Sequence, residues 1–206
     1  MTVRPIMDAG PGLNFFSLNQ ERMLFDALGP LCVPETVHIE MIRKAQNDQR
    51  FARSQNVLGK LPDALLEILN DDATGPLRES FERLAQMPMS VRIKNGKDLG
   101  ELMVLAHAAI QAEQGHDVTV LIDDQGGQRL AALESRRLDR RRVGEPNTGH
   151  LHLITTLTVL ECSVAGQYLP DPAALRKLSG RMRSLDDGLM PLERTGLLSA
   201  PGWSST

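Results

Sequence analysis

DLGELMVLAHAAIQAEQGHDVTVLIDDQGGQRLAALESRR, residues 98–137, is the stretch that decides the fold class. Its first part is strongly apolar and predicts a helix that opens at residues 98–101 and runs to residue 113. The short apolar run DVTVLID, residues 117–123, is typical of a buried strand, and residues 124–127 form a turn into a second helix. A buried strand between two helices indicates a parallel sheet with helices packed on it.

The rest of the chain continues this alternation of short apolar runs and helical patterns. Further strands are predicted at residues 3–8, 31–33, 89–94 (at the rim of the sheet) and 151–156. Further helices are predicted at residues 14–28, 34–45, 63–70, 76–86, 157–167 and 172–182, with a turn at 9–12 and a loop or irregular helix at 46–61. We therefore predict an α/β fold, a three-layer α/β/α sandwich around a central, mainly parallel sheet. A single domain is expected over residues 1–195, with a helical insertion or extension around 44–95 and a flexible tail at 196–206.

Composition and charge are those of an ordinary globular protein. Apolar residues make up 41% of the chain and charged residues 24%, which argues against intrinsic disorder. Cys32 and Cys162 lie in apolar runs and are predicted to be buried free thiols, so neither a disulfide framework nor a zinc site is expected. No secretory segment and no apolar run of bilayer length is present, so we expect a cytoplasmic protein that does not enter a membrane.

Acidic residues follow the predicted strands at several points. Asp8 ends the first strand, and Asp123 and Asp124 end the strand at 117–123. Glu101 opens the helix before that strand, and Glu40 lies on the helix after the second strand. Because ligands of open parallel sheets bind outside the carboxyl ends of the strands, these acids are expected to meet there. Carboxylates brought together in this way repel one another unless a cation neutralises them, and hard oxygen ligands favour Mg²⁺ or Mn²⁺. The chemistry that such a centre supports is phosphodiester hydrolysis by water.

Each acid also has a purely structural interpretation. Asp98 and Glu101 have the spacing of a capping box, in which Asp98 caps the helix. Asp123 and Asp124 precede two glycines, and Asp8 precedes Ala-Gly-Pro-Gly, so all three could serve turns. Glu40 could be one solvated charge on a helix that also carries basic residues. Spacing alone leaves both interpretations open.

The basic and histidine residues contribute weaker signals. Five arginines lie within seven positions, and they could contact phosphates or form a solvated helix end: Arg136, Arg137, Arg140, Arg141 and Arg142. His107 lies in an Ala- and Leu-rich helix and is interpreted as a core or edge histidine. His150 and His152 should share one face of their strand. No phosphate-binding glycine loop, zinc-protease motif or nucleophile elbow is present.

Four acidic segments and one further strand–helix unit occur in an order that resembles the PIN-domain superfamily, in particular its subgroup with a GE motif at the third acidic position. The matching segments are IMDAGPGLNF (6–15), VPETVHIE (33–40), DLGELMVLAHA (98–108), VLIDDQGGQRLA (120–131) and ITTLTVLECSVAGQYLPD (154–171). The resemblance covers roughly residues 4–190, with a weaker middle at about 44–95. The chain departs from the small PIN toxins in carrying Ala9 and Gly10 where many have Thr or Ser and Asn, and in its greater length.

The resemblance implies an α/β/α ribonuclease that uses Mg²⁺ or Mn²⁺. It assigns catalytic roles to Asp8, Glu40, Glu101, Asp123 and Asp124, and metal ligation to all of these except Glu40. For Asp123 and Asp124 it leaves open which is the ligand: alignment with the GE subgroup favours Asp123, and the wider family pattern favours Asp124. The arginines at 136–142 would then hold the RNA backbone.

Three functions follow as alternatives. The first is an endoribonuclease, in particular the toxin of a toxin–antitoxin pair, for which the resemblance implies an RNA substrate, an antitoxin protein that blocks the cleft, and a homodimer. The second is a non-catalytic PIN-like module that binds RNA or protein, in which the acids do not assemble a metal site. The third is an unrelated doubly wound domain with an apolar ligand pocket at the strand ends.

Overall fold

The computed structural model describes residues 3–186, 188–200 and 203, and these residues alternate strands with helices around one sheet. The strands are β1 Ile6–Met7, β2 Leu31–Pro34, β3 Leu66–Leu69, β4 Val118–Leu121 and β5 Leu151–Ile154. The helices of the described residues are α1 Ala9–Ser17, α2 Glu21–Leu28, α3 Glu35–Asn47, α4 Ala52–Leu58, α5 Gly75–Ala85, α6 Met89–Arg92, α7 Leu99–Glu113, α8 Gln125–Gly144, α9 Thr156–Cys162 and α10 Pro172–Leu185. Short 3₁₀ turns lie at Gln49–Phe51, Leu192–Arg194 and Leu197–Ser199.

The five strands are all parallel and lie in the order β3-β2-β1-β4-β5. The short β1 is central, and Ile6 pairs with Cys32 on one side and with Val120 on the other. Strand residues such as Ile6, Val33 and Val120 are fully buried, because helices cover both faces of the sheet. The predicted α/β/α sandwich with a parallel sheet is confirmed.

The helices divide between the two faces according to the direction of the crossovers. Parallel crossovers are right-handed, so the steps from β1 to β3 place α1–α4 on one face, and the return to β4 and β5 places α5–α8 on the other. The observed contacts agree, since α1 packs against α3 and α4, whereas α7 packs against α5 and α8. Helices α9 and α10 contact α2 and α1 respectively. This winding leaves the carboxyl ends of all five strands at one edge of the sheet.

Two predictions in the middle of the chain are wrong. The helix predicted at 63–70 is the edge strand β3, whose residues pair in register with β2. Its apolar run is too short to specify a helix, and pairing with the backbone of β2 decided the outcome. The strand predicted at 89–94 is the short helix α6, which begins after Pro88 and exposes Val91 and Ile93. The segment 44–95 is therefore not wholly helical, because it supplies one strand of the sheet.

The predicted turn at 9–12 is instead the first turn of α1. Gly12 lies within this helix, and a Cβ at this position would lie 2.6 Å from Cε of Met41 and 2.9 Å from Cε of Met7. Glycine thus lets α1 approach the core closely. The single helix predicted at 14–28 is divided into α1 and α2 at Asn19, whose φ is 54°.

Two described residues of the predicted flexible tail at 196–206 make contacts with each other. Leu197 is buried, and its backbone carbonyl oxygen accepts a hydrogen bond of 2.7 Å from the indole Nε1 of Trp203. Residues 201, 202 and 204–206 of the predicted tail lie outside the described residues.

Cys32 is buried as predicted, but Cys162, at the end of α9, is exposed. None of the helices described is long and apolar enough to cross a bilayer.

Candidate metal centre

A cavity of about 780 Å³ lies at the carboxyl ends of the strands, and all five predicted acids line it. Asp8 directly follows β1, Asp123 and Asp124 follow β4, and Glu40 and Glu101 project from α3 and α7. The five acids therefore meet at the strand ends, as the strand-end argument predicted. Among the described residues, eight acidic and four basic side chains line this carboxylate cavity.

Asp8 is the most deeply buried of the acids, with 6% of its surface exposed. It is the N-cap of α1, and its Oδ2 accepts a hydrogen bond of 3.5 Å from the backbone N–H of Gly10. Its pKa is raised to about 7, mainly by burial; the charges of Glu101 and Glu40 also raise it, whereas the backbone amides of Ala9 and Gly10 lower it. Among the described residues, no Lys or Arg forms an ion pair with Asp8, so its charge has no cationic partner within the protein.

Glycine at position 100 allows the acids to meet. A Cβ placed on Gly100 would lie 3.2 Å from Oδ1 of Asp8 and 3.2 Å from Oε2 of Glu40. These two carboxylates therefore flank one point at the start of α7. A Cβ on Gly127, in the first turn of α8, would similarly lie 3.0 Å from Cγ of Glu101. The first turns of α7 and α8 can approach the cluster because neither residue has a side chain.

The capping-box interpretation of Asp98 and Glu101 does not hold. Asp98 precedes α7 with a positive φ of 53° and makes no side-chain hydrogen bond to the helix. Glu101 lines the carboxylate cavity instead. Burial is the main cause that raises its pKa, and the charges of Asp98, Glu40 and Asp124 add to it. Position 98 thus combines an unfavourable backbone conformation with proximity to the cavity.

Asp123 and Asp124 have different surroundings. Oδ1 of Asp123 accepts a hydrogen bond of 2.7 Å from the backbone N–H of Thr156, and Oδ2 accepts one of 2.5 Å from its hydroxyl. Burial raises the pKa of Asp123 to about 6, the bonds from Thr156 lower it, and the charge of Asp186 raises it. Asp124 caps α8, with Oδ2 accepting from the amides of Gly126 and Gly127. The turn interpretation therefore holds for Asp124, which also faces Glu101 across the cavity.

Glu40 is half-buried and pairs with Lys44 one turn later, with 2.7 Å between its Oε1 and Nζ of the lysine. Both residues line the carboxylate cavity, so Glu40 is not simply a solvated surface charge.

Sequence reasoning missed Asp186 as a cavity residue. Its Oδ2 accepts a hydrogen bond of 3.3 Å from Nδ2 of the buried Asn14, and its Oδ1 accepts one of 2.9 Å from the amide of Gly188. Asp48 and Asp98 were also missed as lining residues. The available signal for Asp186 was its place shortly after the last predicted helix, which in the structure extends to Leu185.

The arginine cluster lies towards the far end of α8, and none of its members lines the cavity. Arg137 joins Glu134 and Glu113, Arg141 joins Glu113 and Glu145, and Arg142 binds Asp139 and two backbone carbonyls. Glu134 is 3% exposed and also receives both terminal nitrogens of Arg83 from α5. These contacts hold α8 to α5, α7 and the turn before β5. Arg136 and Arg140 are exposed, and RNA binding by the cluster stays a prediction.

The histidines have structural partners. Nε2 of His107 lies at a hydrogen-bond distance of 2.8 Å from Oδ1 of Asp71, in agreement with its interpretation as a core or edge histidine. The rings of His150 and His152 stack with centroids 5.8 Å apart, as expected for one strand face. His150 also contacts Asp117.

Comparison with protein-family models, curated proteins and solved structures found no match for this chain. The site is therefore interpreted from its own geometry and chemistry.

The donor set suits a hard divalent cation, because carboxylate oxygens are the ligands that Mg²⁺ and Mn²⁺ prefer. As the side chains stand, the described part of the chain holds no three His, Cys, Asp or Glu residues positioned around one ion. Thr156 holds both oxygens of Asp123, and Lys44 holds Oε1 of Glu40. Coordination would require such side chains to turn towards Asp8, which is buried among like charges.

Proposed function

We propose that this protein is a Mg²⁺- or Mn²⁺-dependent ribonuclease that hydrolyses RNA phosphodiesters in the carboxylate cavity. One observation carries the proposal: Asp8 is buried between Glu40 and Glu101 at the strand ends, without a cationic side-chain partner among the described residues. Burying acids together is unfavourable unless a cation compensates them, so the arrangement supports metal binding by these acids rather than a purely structural role.

Asp8, Glu101 and Glu40 are the residues that we assign to the metal. Asp124 is the better candidate of the adjacent pair, because its Oδ1 accepts no hydrogen bond from the described residues, whereas both oxygens of Asp123 are bonded to Thr156. A bound Mg²⁺ or Mn²⁺ supplies a Lewis acid for attack of water on a phosphodiester at neutral pH. Lys97 and Arg129 also line the carboxylate cavity and would offset charge on the substrate.

The choice of RNA as the substrate rests on the resemblance to PIN domains. That resemblance also supports a toxin role, with an antitoxin that covers the cavity, and a homodimer. The alternative remains a non-catalytic PIN-like module. It is favoured by the contacts that already engage the acids: Thr156 hydrogen-bonds both oxygens of Asp123, and Lys44 pairs with Oε1 of Glu40.

The decisive experiment measures cleavage of a mixed RNA substrate in Mg²⁺, Mn²⁺ or EDTA. Wild type is compared with Asp8→Asn and Glu101→Gln, and with the matched controls Asp63→Asn and Glu35→Gln, which change exposed carboxylates outside the carboxylate cavity. We expect metal-dependent cleavage that falls at least about 100-fold in both site variants and stays within twofold in both controls. Absence of cleavage and of Mn²⁺ binding by folded wild type would leave the binding module as the function.

A further inference from the structure

A second cavity, of about 630 Å³, adjoins the carboxylate cavity and has the opposite charge. Asp123, Gln125 and Gly188 line both cavities, so the two share one wall. Arg183 and Arg194 line the second cavity, and Asp123 is the only acidic residue among its described lining residues. An anionic cavity and a cationic cavity thus lie side by side.

The two arginines differ from Arg137, Arg141 and Arg142 of α8, which are engaged by contacts within the protein. Arg183 lies near the end of α10 and Arg194 ends the 3₁₀ turn Leu192–Arg194, and both are exposed. Within residues 3–186, 188–200 and 203, neither guanidinium forms an ion pair or donates a hydrogen bond. A planar guanidinium fork matches the oxygens of a phosphate, and two such groups line this cavity.

The carboxylate cavity needs such a neighbour if its substrate is a polyanion. The described residues that line it, eight acidic and four basic, repel the strand that the site is proposed to cleave. Affinity for the backbone must therefore come from cationic groups beyond this cavity. The second cavity lies directly past Asp123, and it also presents the apolar side chains of Leu157 and Met190, against which a base or ribose can pack.

We propose that the second cavity binds the phosphate next to the scissile one on a single RNA strand, through Arg183 and Arg194. This inference rests on the proposed ribonuclease function, and it names the residues that hold the substrate. Carboxylates of an acidic protein segment would meet the same arginines. The strand is favoured because the cavity is continuous with the carboxylate centre and combines phosphate ligands with an apolar wall.

The test measures RNA binding without turnover. Wild type, Arg183→Ala, Arg194→Ala and the double variant are titrated in EDTA with a labelled ten-nucleotide RNA at several salt concentrations. Arg181→Ala is the matched control, because it lies on α10 two positions from Arg183, on the opposite side of the helix, and lines neither cavity. We expect each single variant to weaken binding about threefold to tenfold and to lower the salt slope by about 0.7, while the control changes neither. Arg183→Lys should restore part of the affinity, because it keeps the charge and loses the fork.

The outcomes separate the two proposals. If the double variant binds RNA as well as Arg181→Ala does, the phosphate site is wrong, and metal-dependent cleavage by wild type would still support the nuclease. If binding depends on both arginines but no metal promotes cleavage, the phosphate site stands and the catalytic proposal fails. Binding of a Glu-rich decapeptide with the same dependence, by a protein that does not bind RNA, overturns the inference in favour of a protein partner.

Discussion

At the scale of single residues, the ionised carboxylate of Asp8 lowers the stability of the folded protein. Its pKa is about 7 in the folded protein, whereas an aspartate in an unfolded chain titrates near about 4. A folded-state pKa above the unfolded value means that ionised Asp8 favours unfolding. This unfavourable contribution is absent below about pH 4 and grows as the pH rises to about 7. A bound cation would compensate the charge of Asp8 and remove this unfavourable contribution.

Asp8→Asn is therefore expected to stabilise the protein when metal is absent. At pH 8 in EDTA the variant should gain about 1–3 kcal/mol, or roughly 2–10 °C in thermal midpoint, because a buried charge among like charges is removed. The gain should disappear at pH 4, where the native carboxyl is neutral. Differential scanning calorimetry at both pH values measures this, with Asp63→Asn as control. A loss of stability at pH 8 would mean that the charge of Asp8 is compensated after all.

Gly100→Ala tests the close approach of α7 to the cluster. The added methyl would lie 3.2 Å from carboxylate oxygens of both Asp8 and Glu40 and would push them apart. We expect Mn²⁺ affinity, measured by calorimetric titration, to fall about tenfold. Gly180→Ala is the control, since no atom lies within 4 Å of its Cβ position, and this change within α10 should stabilise the protein by about 0.5–1 kcal/mol. Equal Mn²⁺ affinity in the two variants would show that Gly100 does not set the geometry.

At the scale of elements, Asp71 joins three of them. It follows β3, and its Oδ2 accepts a hydrogen bond of 2.6 Å from the amide of Thr36 in the first turn of α3, while its Oδ1 contacts His107 of α7 at 2.8 Å. Pro34 precedes α3 and provides no side-chain cap, so Asp71 supplies the cap from another part of the chain. The edge strand β3 thereby fixes the start of the helix that carries Glu40.

Asp71→Asn should lower the free energy of unfolding by about 1–2 kcal/mol at pH 7. Burial raises the pKa of Asp71, but the hydrogen bonds from His107 and Thr36 outweigh it and hold the pKa below its ordinary value. A lowered folded-state pKa gives stability that is present above about pH 4 and is lost as the pH falls through the folded value. Urea unfolding at pH 7 and pH 3 should show the difference from wild type shrinking at the lower pH. The neighbouring, exposed Asp72→Asn should behave as wild type at both.

At the scale of the whole molecule, the topology of the sheet places acidic residues together at one edge. The five parallel strands end there, and the acids that follow β1 and β4 meet those of α3 and α7. Helices cover both faces, so the apolar core stabilises the fold, whereas the repulsion between carboxylates at the strand ends destabilises it. The metal should therefore act on the stability of the entire fold.

Thermal unfolding in Mn²⁺ or Mg²⁺ tests that coupling. At a free-ion concentration about 100 times Kd, the midpoint should rise by an amount equivalent to about 2.7 kcal/mol, or roughly 5–11 °C. Asp8→Asn and Glu101→Gln should lose most of this rise, and Asp63→Asn should keep it. A midpoint that is the same in EDTA and saturating Mn²⁺ would contradict the proposed centre.

The sequence by itself determined the alternation of buried strands and helices, and the position of the acids at strand ends, because both depend on local apolar patterns and on the geometry of parallel sheets. Only the tertiary structure decided that residues 66–69 form a strand, since that required the backbone of β2 as partner. It also decided that Glu101 faces the cavity while Asp98 caps nothing, and that Asp186 joins the site from a distance of many residues. The tertiary structure also distinguished the arginines: Arg137 and Arg141 of α8 pair with Glu113 of α7, whereas Arg183 and Arg194 form no ion pair with a described residue. Such pairings depend on which elements pack together, and no local pattern contains that information.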